Sequence, residues 1–296
     1  MQTAPPSPGP AGSPVVGPLN LERLDLDGSP RPPASGPGAA RPLVLIHGFT
    51  GDNRTWSRLL PELARRRPGP IFGLELVGHG RSPIPAEPAA YRMPATLEAC
   101  LASLDRAGLQ DPVDWLGYSM GGRVALSLAL AQPERVARLC LVGAAPGLAE
   151  PEARAARVAA DEALARSIEQ TGLEAFVERW MANPLFASQA RLGPTHLAAA
   201  RAQRLDCSPE ALAHSLRQLG TGRMPPLWDR LQELRAPTLL VVGSLDAKFG
   251  ELARRMAARI PDARVVSIPD AGHAVQVEAP RALAEALSGF LAELGD

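Results

Sequence analysis

A chain of 296 residues with 46% apolar residues can bury one large core and still carry an insertion. Its 31 basic and 31 acidic side chains cancel, which argues against a nucleic-acid binder that works through a broad basic face. The sequence contains no apolar leader segment and no run of eighteen apolar residues, so neither a signal peptide nor a membrane span is expected.

In chain order, eleven prolines crowd the first 42 residues, and residues 1–18 are expected to form a disordered tail. Residues 19–27 alternate apolar and polar side chains and predict a short edge strand, with 28–41 as a long loop. A buried strand is expected at 43–47, a helix at 56–66 and a strand at 71–76, the last followed by Gly78-His79-Gly80-Arg81-Ser82. A helix at 96–107 precedes a strand at 113–116, a sharp turn, a helix at 124–131 and a strand at 136–142. From 147 to 223 strand-like runs vanish, and helices are expected at 152–171, 173–181, 194–204 and 209–219. Strands at 238–243 and 264–268 and a helix at 280–294 complete the chain.

Strands alternating with helices predict an α/β fold with a mostly parallel sheet covered on both faces. The expected division is a tail (1–18), a core (19–146 and 224–296) and a helical cap (147–223) inserted between core strands 6 and 7.

Gly117-Tyr118-Ser119-Met120-Gly121 is a G-x-S-x-G run placed between a strand and a helix. That context predicts a nucleophile elbow, with the Ser119 hydroxyl raised above the sheet. Asp246 follows one later strand and His273 the next, giving the order Ser…Asp…His of the α/β-hydrolase fold. His273 is expected to take the Ser119 proton, and Asp246 to fix the imidazole tautomer. The backbone N–H groups of Phe49 and Met120 are the expected oxyanion donors.

The other histidines have plainer roles. His47 and His79 are read as loop braces, and His196 and His214 as packing or surface residues. No zinc-ligand spacing occurs, so no metal or cofactor is expected. Cys100, Cys140 and Cys207 form an odd, sparse set, which points to a reducing, cytoplasmic setting. Arg123 stands one helical turn after Ser119, and Lys248, the only lysine, follows Asp246 by two residues. If both face the pocket the ligand is an anionic polycarboxylate; otherwise Arg123 belongs to a surface ion pair.

Three segments carry a family resemblance: the elbow followed by Arg123, His47-Gly48-Phe49-Thr50-Gly51 with Trp56, and Asp246-Ala247-Lys248-Phe249. Together they resemble 2-succinyl-6-hydroxy-2,4-cyclohexadiene-1-carboxylate (SHCHC) synthase of menaquinone biosynthesis, the MenH type. Trp180 with Pro184-Leu185-Phe186, and Leu219-Gly220-Thr221-Gly222-Arg223 with Leu227-Trp228, resemble that family's cap. The resemblance implies a carbon–oxygen lyase that eliminates pyruvate from a tricarboxylate. It implies Ser119, Asp246 and His273 as the catalytic set, and Tyr118, Arg123, Arg157, Trp180, Arg204 and Lys248 as substrate contacts. Two positions depart from the pattern: Glu75 replaces an aspartate, and no second histidine follows His273. A serine hydrolase of small carboxylate-bearing esters or of C–C bonds in diketones is the alternative reading, and a non-catalytic binding module a third.

Overall fold

The computed structural model describes residues 16–24, 41–67 and 69–293. Most of the expected tail and nearly all of the 28–41 loop lie outside the described residues. Among the described residues are seven strands: β1 (Leu21–Arg23), β2 (Leu43–Ile46), β3 (Ile71–Leu74), β4 (Val113–Tyr118), β5 (Val136–Val142), β6 (Thr238–Gly243) and β7 (Ala263–Ile268). Their spatial order is β1-β3-β2-β4-β5-β6-β7. β1 runs antiparallel on β3 at the edge, and every other pair is parallel.

The order explains where a site can form. The chain leaves β2 toward β3 on one side and returns to β4 on the other, so strand order reverses between β2 and β4. The loops after these two strands diverge above their carboxyl ends and leave a crevice there. Residues 47–49 follow β2 and Ser119 follows β4.

The helices are α1 (Leu60–Ala64), α2 (Met93–Arg106), α3 (Met120–Ala131), α4 (Pro151–Met181), α5 (Pro194–Leu205), α6 (Pro209–Leu219), α7 (Ala247–Ala257), α8 (Val275–Glu278) and α9 (Pro280–Glu293). They cover both faces of the sheet. Residues of α2 and α3 pack with Val44, Ile46 and Trp115 on one face. Residues of α1 and α9 pack with Leu43, Leu45 and Leu116 on the other. The β2 side chains therefore alternate between two cores, as a doubly covered strand requires.

Helices α4 to α6 form the insertion, with their own apolar cluster of Ile168, Phe176, Val177, Leu212 and Leu216. Phe49 packs against both this cluster and the α2–α3 core, so it joins insertion to sheet. The insertion follows the fifth of the seven described strands and precedes the sixth, one strand earlier than the sequence suggested.

Other differences have local causes. The helix expected at 56–66 is a 3₁₀ turn, Asn53–Trp56, followed by the short α1. Pro61 has no N–H to offer the Ser57 carbonyl, so one continuous helix cannot run through. Pro94 sits in the first turn of α2, where its missing N–H is harmless, and α2 starts three residues before the expected boundary. In α4, Gly172 at φ 82° breaks the helix where the sequence predicted two. The 3₁₀ segment Pro184–Leu192 and helix α7 were not anticipated.

Candidate active site

Ser119 lies between β4 and α3 with φ 52° and ψ −108°, a sparsely populated conformation for a residue with a Cβ. Two backbone bonds hold it: its N–H donates to the Val142 carbonyl at 2.9 Å, and its carbonyl accepts from Arg123 N–H at 3.1 Å. The turn also needs Gly121, since a Cβ there would run into the Ile46 and His47 carbonyl oxygens. Helix α3 thus docks directly on the end of β2.

His273 approaches from the loop after β7. Its Nε2 lies 3.1 Å from Ser119 Oγ, and its Nδ1 lies 2.7 Å from Asp246 Oδ2. A carboxylate only accepts, so Nδ1 carries the proton and Nε2 presents its lone pair to the serine hydroxyl. The other Asp246 oxygen accepts from Phe249 N–H at 3.2 Å and caps α7. One carboxylate thereby orients the imidazole and starts a helix. Asp246 and His273 are buried, and the rings of Phe249, Tyr118 and Phe186 surround the imidazole at 4.6, 5.4 and 6.3 Å. The line is positioned to move a proton between a hydroxyl and an imidazole away from water.

Met120 is the first residue of α3, so its N–H has no helical carbonyl to meet and stands at the positive end of the helix. Gly48 passes close to the Tyr118 ring and the Ser119 Cβ, which brings the Phe49 backbone beside the serine. The two predicted oxyanion donors thus flank Ser119, Phe49 on the loop after β2 and Met120 at the start of α3.

A cavity of about 560 Å³ opens over Ser119 and His273. Phe49, Leu148, Trp180, Phe186 and Leu252 supply apolar walls, and Tyr118, Arg123, Arg157 and Lys248 also line it. Arg123 is buried and donates from Nη1 to the Leu219 carbonyl at 2.7 Å. Burial, with Arg157 nearby, lowers its pKa to about 10, so the guanidinium remains charged at neutral pH. Arg157 donates from Nε to Asp161 Oδ1 at 2.8 Å, while Asp161 Oδ2 is buried with no partner. Burial pushes the Asp161 carboxyl above the usual range, and Arg157 and Arg123 oppose that rise. Lys248 is exposed at the rim, 5.8 Å from the Phe249 ring centre. Trp180 stands edge-on to Phe49 at 5.2 Å, with its Nε1 buried and unpartnered.

Arg204 is placed differently from the other expected contacts. It lines a second cavity of about 320 Å³, with His196 and Gln276. Phe49, Tyr118 and Phe186 line both cavities and stand between them. The Arg204 guanidinium lies 6.0 Å from the Phe186 ring centre, and Nη1 donates to the Ala200 carbonyl. Burial lowers its pKa.

Of the remaining histidines, His47 and His79 brace loops. His47 Nε2 accepts from Leu76 N–H at 3.0 Å, so its Nδ1–H donates to the Gly48 carbonyl at 2.7 Å. His79 Nδ1 donates to the Val77 carbonyl at 3.0 Å. His214 packs on Tyr91 at 5.2 Å, whereas His196 lines the second cavity. Glu75, the departure from the aspartate pattern, is buried and accepts from Asn53 N–H and Arg81 N–H, so its longer arm ties two loops together.

Sequence reasoning missed Asp161 and the buried carboxylate of Glu278. The four-residue spacing from Arg157 to Asp161 on one helix face was the available signal for the first.

Comparison with known proteins agrees with this geometry. Residues 41–280 match the family model of the alpha/beta hydrolase fold. A Bacillus subtilis protein whose name proposes it as an SHCHC synthase is 37% identical over 88% of this chain and 93% of that protein. The SHCHC synthase of Serratia proteamaculans is 33% identical over 87% of this chain and 96% of that protein. The chain belongs to the SHCHC synthase family. The structure of MenH from S. aureus superposes on it with a TM-score of 0.84 and 31% identity, covering 93% of this chain and 99% of that one. Membership of the SHCHC synthase family thus spans sheet and insertion alike. Among the described residues no helix is long and apolar enough to cross a membrane.

Proposed function

We propose that this protein eliminates pyruvate from 2-succinyl-5-enolpyruvyl-6-hydroxy-3-cyclohexene-1-carboxylate, giving SHCHC in menaquinone biosynthesis. The observation that carries the reading is the hydrogen-bonded line Ser119–His273–Asp246 opening into a cavity with Arg123, Arg157 and Lys248. Relatives that bear the synthase's name, aligned over most of the chain, support it. A substrate with three carboxylates matches a cavity rich in cations better than a neutral ester does.

In this reading Ser119 Oγ takes the ring proton next to the succinyl carbonyl as its own proton passes to His273 Nε2. Asp246 stabilises the resulting imidazolium. The N–H groups of Phe49 and Met120 stabilise the charge that gathers on the carbonyl oxygen. Collapse of that enolate shifts the ring double bond and breaks the C–O bond, and the leaving group takes a proton to become pyruvate. No covalent serine adduct forms. Arg123, Arg157 and Lys248 hold carboxylates, and Tyr118 and Trp180 line the ring. Arg204 is a further carboxylate contact, from the second cavity on the other side of Phe49, Tyr118 and Phe186. Residues 147–223 act as the cap over a core of 19–146 and 224–296, and the enzyme works in the cytoplasm without a cofactor.

The test is to mix the protein with the enolpyruvyl precursor and follow pyruvate with lactate dehydrogenase, and diene formation by absorbance. Both signals should rise together. A folded protein that releases no pyruvate overturns the reading. The 3.1 Å contact between His273 and Ser119 suits acyl transfer too, which favours a serine hydrolase as the second reading. A burst of p-nitrophenol with Ser119 stably acylated would be its signature.

A further inference from the structure

His273 sits on a loop, and loops do not hold a catalytic imidazole to a fraction of an ångström unaided. The residues on either side of it are Gly272 and Ala274. Their N–H groups both donate to one side chain: Gly272 N–H to Glu278 Oε2 at 2.8 Å, and Ala274 N–H to Glu278 Oε1 at 3.2 Å. The two carboxylate oxygens therefore bond the backbone on both sides of His273. The Glu278 side chain has no exposure to solvent. A charge so buried needs compensation, and these two donors supply part of it.

The rest comes from the insertion. Arg191 Nη2 lies 3.0 Å from Glu278 Oε2 and belongs to the 3₁₀ segment Pro184–Leu192. Two neighbours on that segment also touch the histidine loop. Ser188 fills the space beside Gly272 so closely that a Cβ there would strike its hydroxyl, and the Phe186 ring lies 6.3 Å from the His273 ring. The segment therefore meets the loop at Gly272 and His273 and the end of α8 at Glu278.

We propose that Glu278 is a positioning residue for His273, and that Arg191 latches the Pro184–Leu192 segment of the insertion to it. The inference rests on the reading that His273 activates Ser119. A buried carboxylate is needed because both flanking groups are donors. A glutamine at 278 keeps the shape but turns an NH₂ toward one of the two N–H groups, so one clamp bond becomes a repulsion. The imidazole then tilts away from Ser119 while the cavity that binds substrate is left in place.

A serine-directed fluorophosphonate provides the test, because it reports Ser119 activation whatever the natural substrate is. Full-length Glu278→Gln should label about tenfold or more slowly than the parent, on the scale that small misplacements of catalytic groups produce. Pyruvate release should show the loss in kcat with KM nearly unchanged, and the downfield imidazole N–H resonance should broaden or vanish. Arg191→Ala should slow labelling about threefold, as loss of one half-exposed ion pair allows, and Arg191→Lys should restore it. Labelling within twofold of the parent in a cooperatively folded Glu278→Gln overturns the proposal. If Glu278→Gln loses cooperative unfolding, unchanged labelling in Arg191→Ala overturns it instead. A parent protein that labels readily yet releases no pyruvate counts against the proposed function alone.

Discussion

Arg123 donates from Nη1 to the Leu219 carbonyl at 2.7 Å, tying the helix that follows Ser119 to the last helix of the insertion. The side chain therefore has two tasks, since it also lines the cavity beside Arg157 and Asp161. Arg123→Ala should raise KM for the tricarboxylate about tenfold or more, because a charge-assisted hydrogen bond contributes about 1.5–3 kcal/mol. It should lower kcat as well, through the loosened insertion. Arg123→Lys should recover part of the binding and little of the interhelical bond. Turnover of a neutral p-nitrophenyl ester should fall only by the share due to the loosened insertion, and so by much less. Steady-state kinetics on both substrates decide the matter, and equal losses on both would remove the anionic pocket from consideration.

Asp246→Asn separates orientation from folding. The Asn Oδ1 still accepts from Phe249 N–H, so the cap of α7 survives. The new NH₂ cannot accept from His273 Nδ1–H, which favours the tautomer with its proton on Nε2. That tautomer cannot take the serine proton. We expect kcat to fall by about 10³–10⁴ with an unchanged melting temperature. A loss of only a few fold would mean that Ser119 does not work through this imidazole.

Most of this architecture was legible because chemistry confined to short segments is written locally. The elbow is specified by Gly117, Ser119 and Gly121 in five residues, and Asp246 and His273 lie on the loops that leave β6 and β7. The break at Gly172 and the starts of α5 and α6 at Pro194 and Pro209 were equally local. What stayed hidden depends on distant partners. Arg204 faces a separate cavity because Phe186 comes between, and no spacing in the sequence reports that wall. Glu278 looks like one more surface acid until the backbone of Gly272 and Ala274 folds onto it.

Gly121→Ala tests how closely α3 docks on β2. On an isolated helix the change adds up to about 1 kcal/mol of stability. Here the methyl group would strike the Ile46 and His47 carbonyl oxygens, which are backbone and cannot swing aside. We expect destabilisation of about 1–3 kcal/mol by urea unfolding, with fluorophosphonate labelling of Ser119 sharply reduced. A stabilised, fully reactive variant would show that the elbow tolerates a wider approach than the structure has.

The pair His47 and His79 should give the fold a dependence on mildly acidic pH. Both are fully buried, and their rings lie 5.2 Å apart. Burial lowers the His47 pKa, and burial together with His47 lowers that of His79 to about 3. Both are neutral in the native state, whereas the unfolded chain protonates them near pH 6.5. Below that pH the unfolded state binds more protons, so the stability present above pH 6.5 is lost as pH falls toward the folded value. For His79 alone the slope approaches about 1.4 kcal/mol per pH unit between pH 6 and 4. His79→Asn keeps a donor for the Val77 carbonyl but cannot titrate. Asp52, whose pKa is lowered through its bonds to Arg54, titrates below this window in both proteins. Urea unfolding at a series of pH values should therefore show the gap between parent and variant narrowing as pH drops from 6.5 to 4.5. Parallel stability curves would mean that His79 is protonated in the folded state or reaches solvent.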